Sequence, residues 1–144
     1  MRVSTILEQK GSAVATIRAT ATVAEAAGEL RLRGVGALVV SEDGRTIQGI
    51  ISERDVVRRL AEKGAHSLDE PVESVMSAEV RTCAPGDRCD DLMRIMTEHR
   101  MRHLPVVVDG ELAGIISIGD AVKHRVNELE QESEALHDYI AAGR

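Results

Sequence analysis

Aromatic side chains are almost missing from this chain: Tyr139 is the only one, with no Trp and no Phe. Binders of single-stranded nucleic acid stack bases on such rings, so that route is closed. A net charge of −6 also disfavours general attraction to a phosphate backbone, and no nucleic-acid partner is expected. No apolar run is long enough to span a bilayer, and the N-terminus lacks the basic-then-apolar pattern of a secretory signal. A cytoplasmic protein without membrane contact is the expectation. Also missing are a Gly-rich phosphate loop before a helix, a Ser/His/Asp set in a recognisable context, and a close pair of acids suited to acid–base work. Enzyme activity is therefore not expected. His99 and His103 are four apart, but no third ligand stands at a metal-site spacing, and Pro105 would stop a helix carrying both. No metal is expected.

What the chain does have is 43% hydrophobic residues in 144 positions, enough for one compact unit. Its most informative stretch runs from Arg100 to Asp120. A cationic cluster (Arg100, Arg102, His103) leads into the apolar run Leu104 to Val108, then an Asp109-Gly110 turn, then a second apolar run from Leu112 to Ile116. Val-rich runs joined by Asp-Gly predict a β-hairpin. Ser117, followed three residues later by Asp120 where helical periodicity begins, predicts a helix start. A hairpin thus delivers a hydroxyl and a carboxylate to a helix N-terminus, with basic residues at its other end. That arrangement suits an anionic ligand bearing hydroxyl groups.

The stretch occurs twice. A shift of about 66 positions sets Val14 on Val80, Thr16 on Thr82, Leu38 on Leu104 and Asp43-Gly44 on Asp109-Gly110. After one extra residue in the first hairpin, Gly49-Ile50-Ile51-Ser52-x-x-Asp55 falls on Gly114-Ile115-Ile116-Ser117-x-x-Asp120. Two copies are too few for a solenoid and point to a paired module. Cys83 and Cys89 fall on Ile17 and Val23, which reads as small apolar core positions rather than redox or metal chemistry.

Each half reads alike. A short strand (about Val14 to Ile17, or Val80 to Cys83) precedes a helix (Val23 to Arg33, or Asp87 to Arg100). The hairpin follows, and then a second helix, from Asp55 to Lys63 or from Asp120 onward. Before the first half comes a helix over Val3 to Lys10, with Ser4 as N-cap and Gly11 near its stop; Val72 to Met76 is its counterpart. The expected division is residues 1–63 for the first repeat with its N-terminal helix, a polar linker over 64–71, residues 72–126 for the second repeat, and an amphipathic C-terminal helix over 127–144. Along that last helix Val122, Val126, Leu129, Leu136 and Ile140 keep close to helical spacing, and a homodimer contact is favoured for the stripe.

The duplicated Gly-Ile-Ile-Ser-x-x-Asp signature and hairpin resemble tandem cystathionine-β-synthase-type (CBS) domains, also called a Bateman module, over about Val3 to Val126. The resemblance implies an α/β fold of the α+β type. Two β-α-β-β-α repeats would pack sheet to sheet with pseudo-twofold symmetry, followed by a long C-terminal helix. It also implies an adenine nucleotide bound in the clefts between the repeats, AMP foremost, with NAD(H), ADP or ATP as relatives.

From the residues alone, Ser-x-x-Asp is equally a capping box. By the resemblance, Asp120 with Ser117 defines one ribose site, the first choice, and Asp55 with Ser52 the other. Thr82 and Thr16 would approach the ligand from the first strands. Arg102 and His103, opposite Gly36 and Ala37 in the repeat, are the phosphate candidates together with Arg54. Arg58 and Arg59 fit a solvated helix face as well as a site. Val80, Cys83, Pro85, Met101, Pro105 and Ile118, with Val35, Gly36 and Ala37, would form the adenine slot. So few cations favour a monophosphate or a dinucleotide over a triphosphate. The competing readings are a ligand-free dimerisation protein and a regulatory subunit for an unknown protein target.

Overall fold

The computed structural model describes residues 1–143. Its elements are α1 (Val3–Lys10), β1 (Thr16–Ile17), α2 (Val23–Arg33), β2 (Ala37–Val40), β3 (Gly49–Ser52), α3 (Glu53–Lys63), α4 (Cys89–Glu98), β4 (His103–Val108), β5 (Glu111–Ser117) and α5 (Ile118–Ala142). Short 3-10 turns cover Gly64–Asp69 and Val72–Ser74. Helices and two small sheets alternate as the sequence implies. One sheet has the order β1-β2-β3, and the other is the β4-β5 hairpin.

Local chemistry explains where elements begin and end. Thr22, Ser52 and Ser117 each cap a helix, and Glu25, Asp55 and Asp120 return the bond to the cap's own N–H. Each box satisfies two backbone donors that a helix start leaves open. The second hairpin closes through a two-residue turn, with φ of 52° at Asp109 and 78° at Gly110, between the paired Val108 and Glu111. Positive φ at both central residues matches the twist of the flanking strands.

The first hairpin differs. Asp43 does not close a tight turn but organises the loop over 41–48. Its Oδ1 accepts the N–H groups of Arg45 at 2.8 Å and Thr46 at 2.7 Å. Those bonds hold the carboxyl well below its ordinary pKa.

Three further sequence expectations change. The N-cap of α1 is Arg2 rather than Ser4, because the N–H groups of Val3 and Ser4 are taken by the carbonyls of Asp87 and Pro85, both at 2.9 Å. The strand expected at Val80 to Cys83 shrinks to one parallel bridge between Cys83 and Val106. Beyond Cys83 the ladder cannot continue, because the Asp87 carboxylate takes the Ala84 N–H at 2.9 Å and Pro85 has none to give. Finally, the segment expected as a polar linker is folded onto the first half. Ser67 is fully buried, Pro71 bridges to Thr22, and Arg59 clamps Glu70 at 2.9 Å and the Ser74 carbonyl at 2.7 Å.

Two cores result. In the first, Val23, Ala26 and Leu30 of α2 meet Leu38, Val40, Ile51, Val56 and Val72. In the second, Cys89, Leu92 and Met96 of α4 meet Leu104, Val106, Ile116 and Ala121, together with Val3 and Ile6 of α1. Each short lead-in thus serves the opposite half: α1 packs on the second core, while Val72 enters the first. Burying an aliphatic side chain of this size is worth about 1.5–3 kcal/mol, so each half loses part of its core without the borrowed segment.

Candidate nucleotide groove

A groove of about 600 Å³ lies where the halves meet. A pocket of this size suits a small ligand. Its walls come from the N-termini of α3 and α5, the residues just before β2 and β4, and the strip from Ser77 to Arg81. The two halves present equivalent parts here. The Glu53 N–H donates to the Gly36 carbonyl at 3.0 Å, and the Ile118 N–H to the Arg102 carbonyl at 2.8 Å. Positive helix ends on two sides favour an anion between them.

Most of the residues singled out from the sequence converge on this groove. Ser52, Asp55 and Ser117 of the ribose set line it, as do Arg54, Arg102 and His103 of the phosphate set. Gly36, Ala37, Val80, Met101 and Ile118 supply its less polar wall. Asp55 Oδ2 accepts the Ser52 N–H at 2.8 Å and the Ser52 hydroxyl at 3.0 Å. Among the described residues Asp55 Oδ1 receives no hydrogen bond, so one carboxylate oxygen is left for incoming hydroxyl donors.

Other candidates lie elsewhere. Asp120 faces Lys10 rather than the groove, at 2.7 Å. Thr16 borders a separate shallow depression beside Arg18 and Glu25. Thr82 is exposed and Val35 packs on the first core. Pro105 is buried in mid-strand opposite Ile115, and Pro85 is tied through its carbonyl to α1. Cys83 is 5% exposed in the second core, where burial, then the nearby Asp87, push its thiol up to about 12. Cys89 is buried as well, and its thiol faces the Ala121 carbonyl. Both are core residues, as their repeat counterparts predict.

Arg58, Arg81 and Arg100 are groove residues the sequence reading did not assign. With Arg54 and Arg102 they make five arginines around one cavity, and among the described residues none of the five is in an ion pair. The acids on the wall are Glu53, Asp55 and Glu79. The His103 ring is wedged against Gly36, where a Cβ would lie 3.0 Å from Cε1 and 3.1 Å from Nε2. Burial, then the neighbouring Lys10, pull its pKa below the ordinary histidine value, against the opposing pull of Asp120 and Glu53. That direction favours the neutral ring, and the charge that faces the groove is carried by the arginines.

Arg100 had a signal in the repeat. It falls on Gly34, and both residues end their helices in left-handed backbone, with φ of 53° and 63°. The helix ends match further: Val35 N–H bonds to the Leu30 carbonyl at 3.1 Å and Met101 N–H to the Met96 carbonyl at 3.0 Å. Glycine adopts this conformation freely, whereas an arginine costs about 1 kcal/mol. The second half accepts that cost and gains a guanidinium at the groove. Arg100→Gly is expected to raise stability by up to about 1 kcal/mol in urea unfolding while weakening anion binding. A variant that gained stability and lost no affinity would show the arginine to be incidental.

The CBS domain profile matches residues 11–62 and 72–127, and the chain belongs to that family. Among solved structures it is similar to the CBS-domain containing protein ATU1752 from Agrobacterium tumefaciens. That pair is 44% identical with a TM-score of 0.84, covering 87% of this chain and 99% of the other. It is also similar to the CBS domain protein PAE2072 from Pyrobaculum aerophilum, solved in complex with AMP. There the identity is 31% and the TM-score 0.74, over 83% of this chain and 89% of that one. Among curated relatives, the mitochondrial CBS domain-containing protein CBSX3 of Arabidopsis thaliana is 36% identical over 85% of this chain. The match spans 61% of that protein's own length. No helix among the described residues is long and apolar enough to cross a membrane.

Proposed function

We propose that this chain is a ligand-sensing module that binds an adenine nucleotide, AMP foremost, in the groove at Asp55. The observation that carries this reading is the free Oδ1 of Asp55 in a groove that also holds a less polar wall and five arginines. An ionised acceptor makes the stronger hydrogen bonds to ribose hydroxyls. Gly36, Ala37, Val80, Met101 and Ile118 receive the base, and Arg54, Arg58, Arg81, Arg100 and Arg102 face the phosphate. The AMP complex of the Pyrobaculum relative supports the same ligand class. Five arginines leave room for a second phosphate, so NAD(H) and ATP belong in the same comparison. The role is regulatory rather than catalytic: a ligand that prefers one arrangement of the halves shifts their packing.

Self-association through α5 completes the proposal. Val122, Val126, Leu129, Leu136 and Ile140 are 43–60% exposed and Tyr139 is 78% exposed. An apolar stripe of that length is the kind of surface a second copy covers. Light scattering at micromolar concentration is expected to give twice the chain mass, and a one-chain mass refutes this part.

The ligand test is a thermal-shift scan with AMP, NADH, ATP and S-adenosylmethionine, each at millimolar concentration. Occupancy at one hundred times Kd stabilises by about 2.7 kcal/mol, several degrees in a domain of this size. A flat melting temperature with all four would refute the sensor reading.

A further inference from the structure

Only the start of α5 is packed on the rest of the chain. Ala121 and His124 are buried there, and Glu128 is half-buried. From Leu129 to Ala142 every residue is exposed, so the second half of the helix stands clear of the body. A helix segment of that length is marginal in water on its own, and packing is what stabilises it.

The exposed stripe sets the form of that packing. Val122, Val126, Leu129, Ser133, Leu136 and Ile140 are spaced by four, three, four, three and four residues. This alternation keeps one seam of a helix against a second helix in a left-handed supercoil. His124 lies on the opposite side of α5 from the seam, with Ala121 and Glu128 beside it. The body therefore covers the back of the helix and leaves the seam exposed from Val122 to Ile140. Two copies can meet seam to seam with their bodies turned outward.

Charge decides the orientation. Arg125 and Glu132 flank the seam on one side, Glu130 and His137 on the other. In a parallel, in-register pair, each residue on the first side faces the one five positions further along in the second copy. Arg125 then meets Glu130 of the second copy, twice by symmetry, and Glu132 meets His137. Arg125 also bonds Glu128 of its own chain at 2.9 Å and lies 4.0 Å from Asp90, yet it is 36% exposed with donors to spare. An antiparallel pair on the same stripe sets Glu130 against Glu130 and Glu132 against Glu132. Those like charges meet at its centre and repel.

We propose that α5 pairs with a second copy of this chain as a parallel, in-register coiled coil. This deepens the self-association reading and rests on it. Parallel pairing brings both bodies, and with them both ligand grooves, to the same end of the dimer.

The test is disulfide trapping in the full chain, after light scattering of the wild type. Ser133→Cys puts a thiol on the seam, and Gln131→Cys puts one on the outer face as the control. Cys83 and Cys89 are buried and do not compete. In the parallel pair the two seam thiols face each other within disulfide reach. In the antiparallel pair they face Leu129 and stand about 6 Å apart along the axis. Mild oxidation is expected to link most of the Ser133→Cys protein into dimers and little of the Gln131→Cys protein. Glu130→Arg is the second variant, with circular dichroism confirming its fold. Sedimentation is expected to show its dimer weakened roughly ten-fold, because arginine then faces arginine at two places. Antiparallel pairing would exchange one like-charge contact for another and leave Kd unmoved. A two-chain mass without selective trapping of Ser133→Cys, or with Kd unmoved by Glu130→Arg, overturns the parallel coil and leaves self-association standing. A one-chain mass for the wild type refutes both.

Discussion

Asp55→Ala is expected to weaken AMP binding by about 1–3 kcal/mol, from five-fold to more than a hundred-fold in Kd. The loss comes from removing a charged acceptor whose second oxygen is unoccupied and which the α3 cap holds in place in the groove. The same substitution strips α3 of half its capping box, at a cost of about 1 kcal/mol in stability. Asp55→Asn separates the two effects. Its amide oxygen still accepts the Ser52 N–H, so the helix stays capped, while the charge that favours hydroxyl donors is gone. Affinity should therefore fall in both variants, and stability chiefly in the alanine one. Asp120→Ala serves as the control: with Lys10 bridging that carboxylate, its removal should leave the AMP Kd within a factor of two or so of wild type. Unchanged affinity in both Asp55 variants would reduce Asp55 to a capping residue.

Much of the architecture was written in local chemistry that a sequence exposes directly. Ser-x-x-Asp boxes, the Asp109-Gly110 turn and the bounds of α2 depend on residues within a few positions of one another. The duplication then placed the cysteines in a core and gave Arg100 a glycine counterpart. What escaped was long-range. Nothing near Lys10 in the chain indicates that it ends beside Asp120, because that contact exists only once α1 has crossed to the second half. The preference for the Asp120 cleft did not foresee this contact, and Asp55 is the aspartate that lines the groove. Arg58 and Arg59 show the same limit. They are adjacent on α3, but one lines the groove while the other holds the segment on both sides of Val72. Helix geometry separates neighbours by about 100°, so their fates depend on what packs on each side.

Ile6→Ala should destabilise the protein by about 2–5 kcal/mol, a large part of the 5–15 kcal/mol that holds a typical domain together. Ile6 is fully buried among Leu92, Met96, Leu104 and Ile116, more than eighty residues away in the chain. Truncation leaves a cavity that rigid strands cannot close, and the missing contacts are lost outright. Leu32→Ala is the matched control: that side chain is 78% exposed on α2, and its removal should change stability by no more than about 0.5 kcal/mol. Urea unfolding reads both through the midpoint, provided the slope is unchanged. Equal midpoints for Ile6→Ala and wild type would mean that α1 is an appendage rather than part of the second core. Lys10 would then have no fixed frame from which to reach Asp120. If the midpoint falls as expected, the helix that completes the core is also the one that positions the lysine. Loosening it should expose the Asp120 carboxylate at the same time as it weakens the fold.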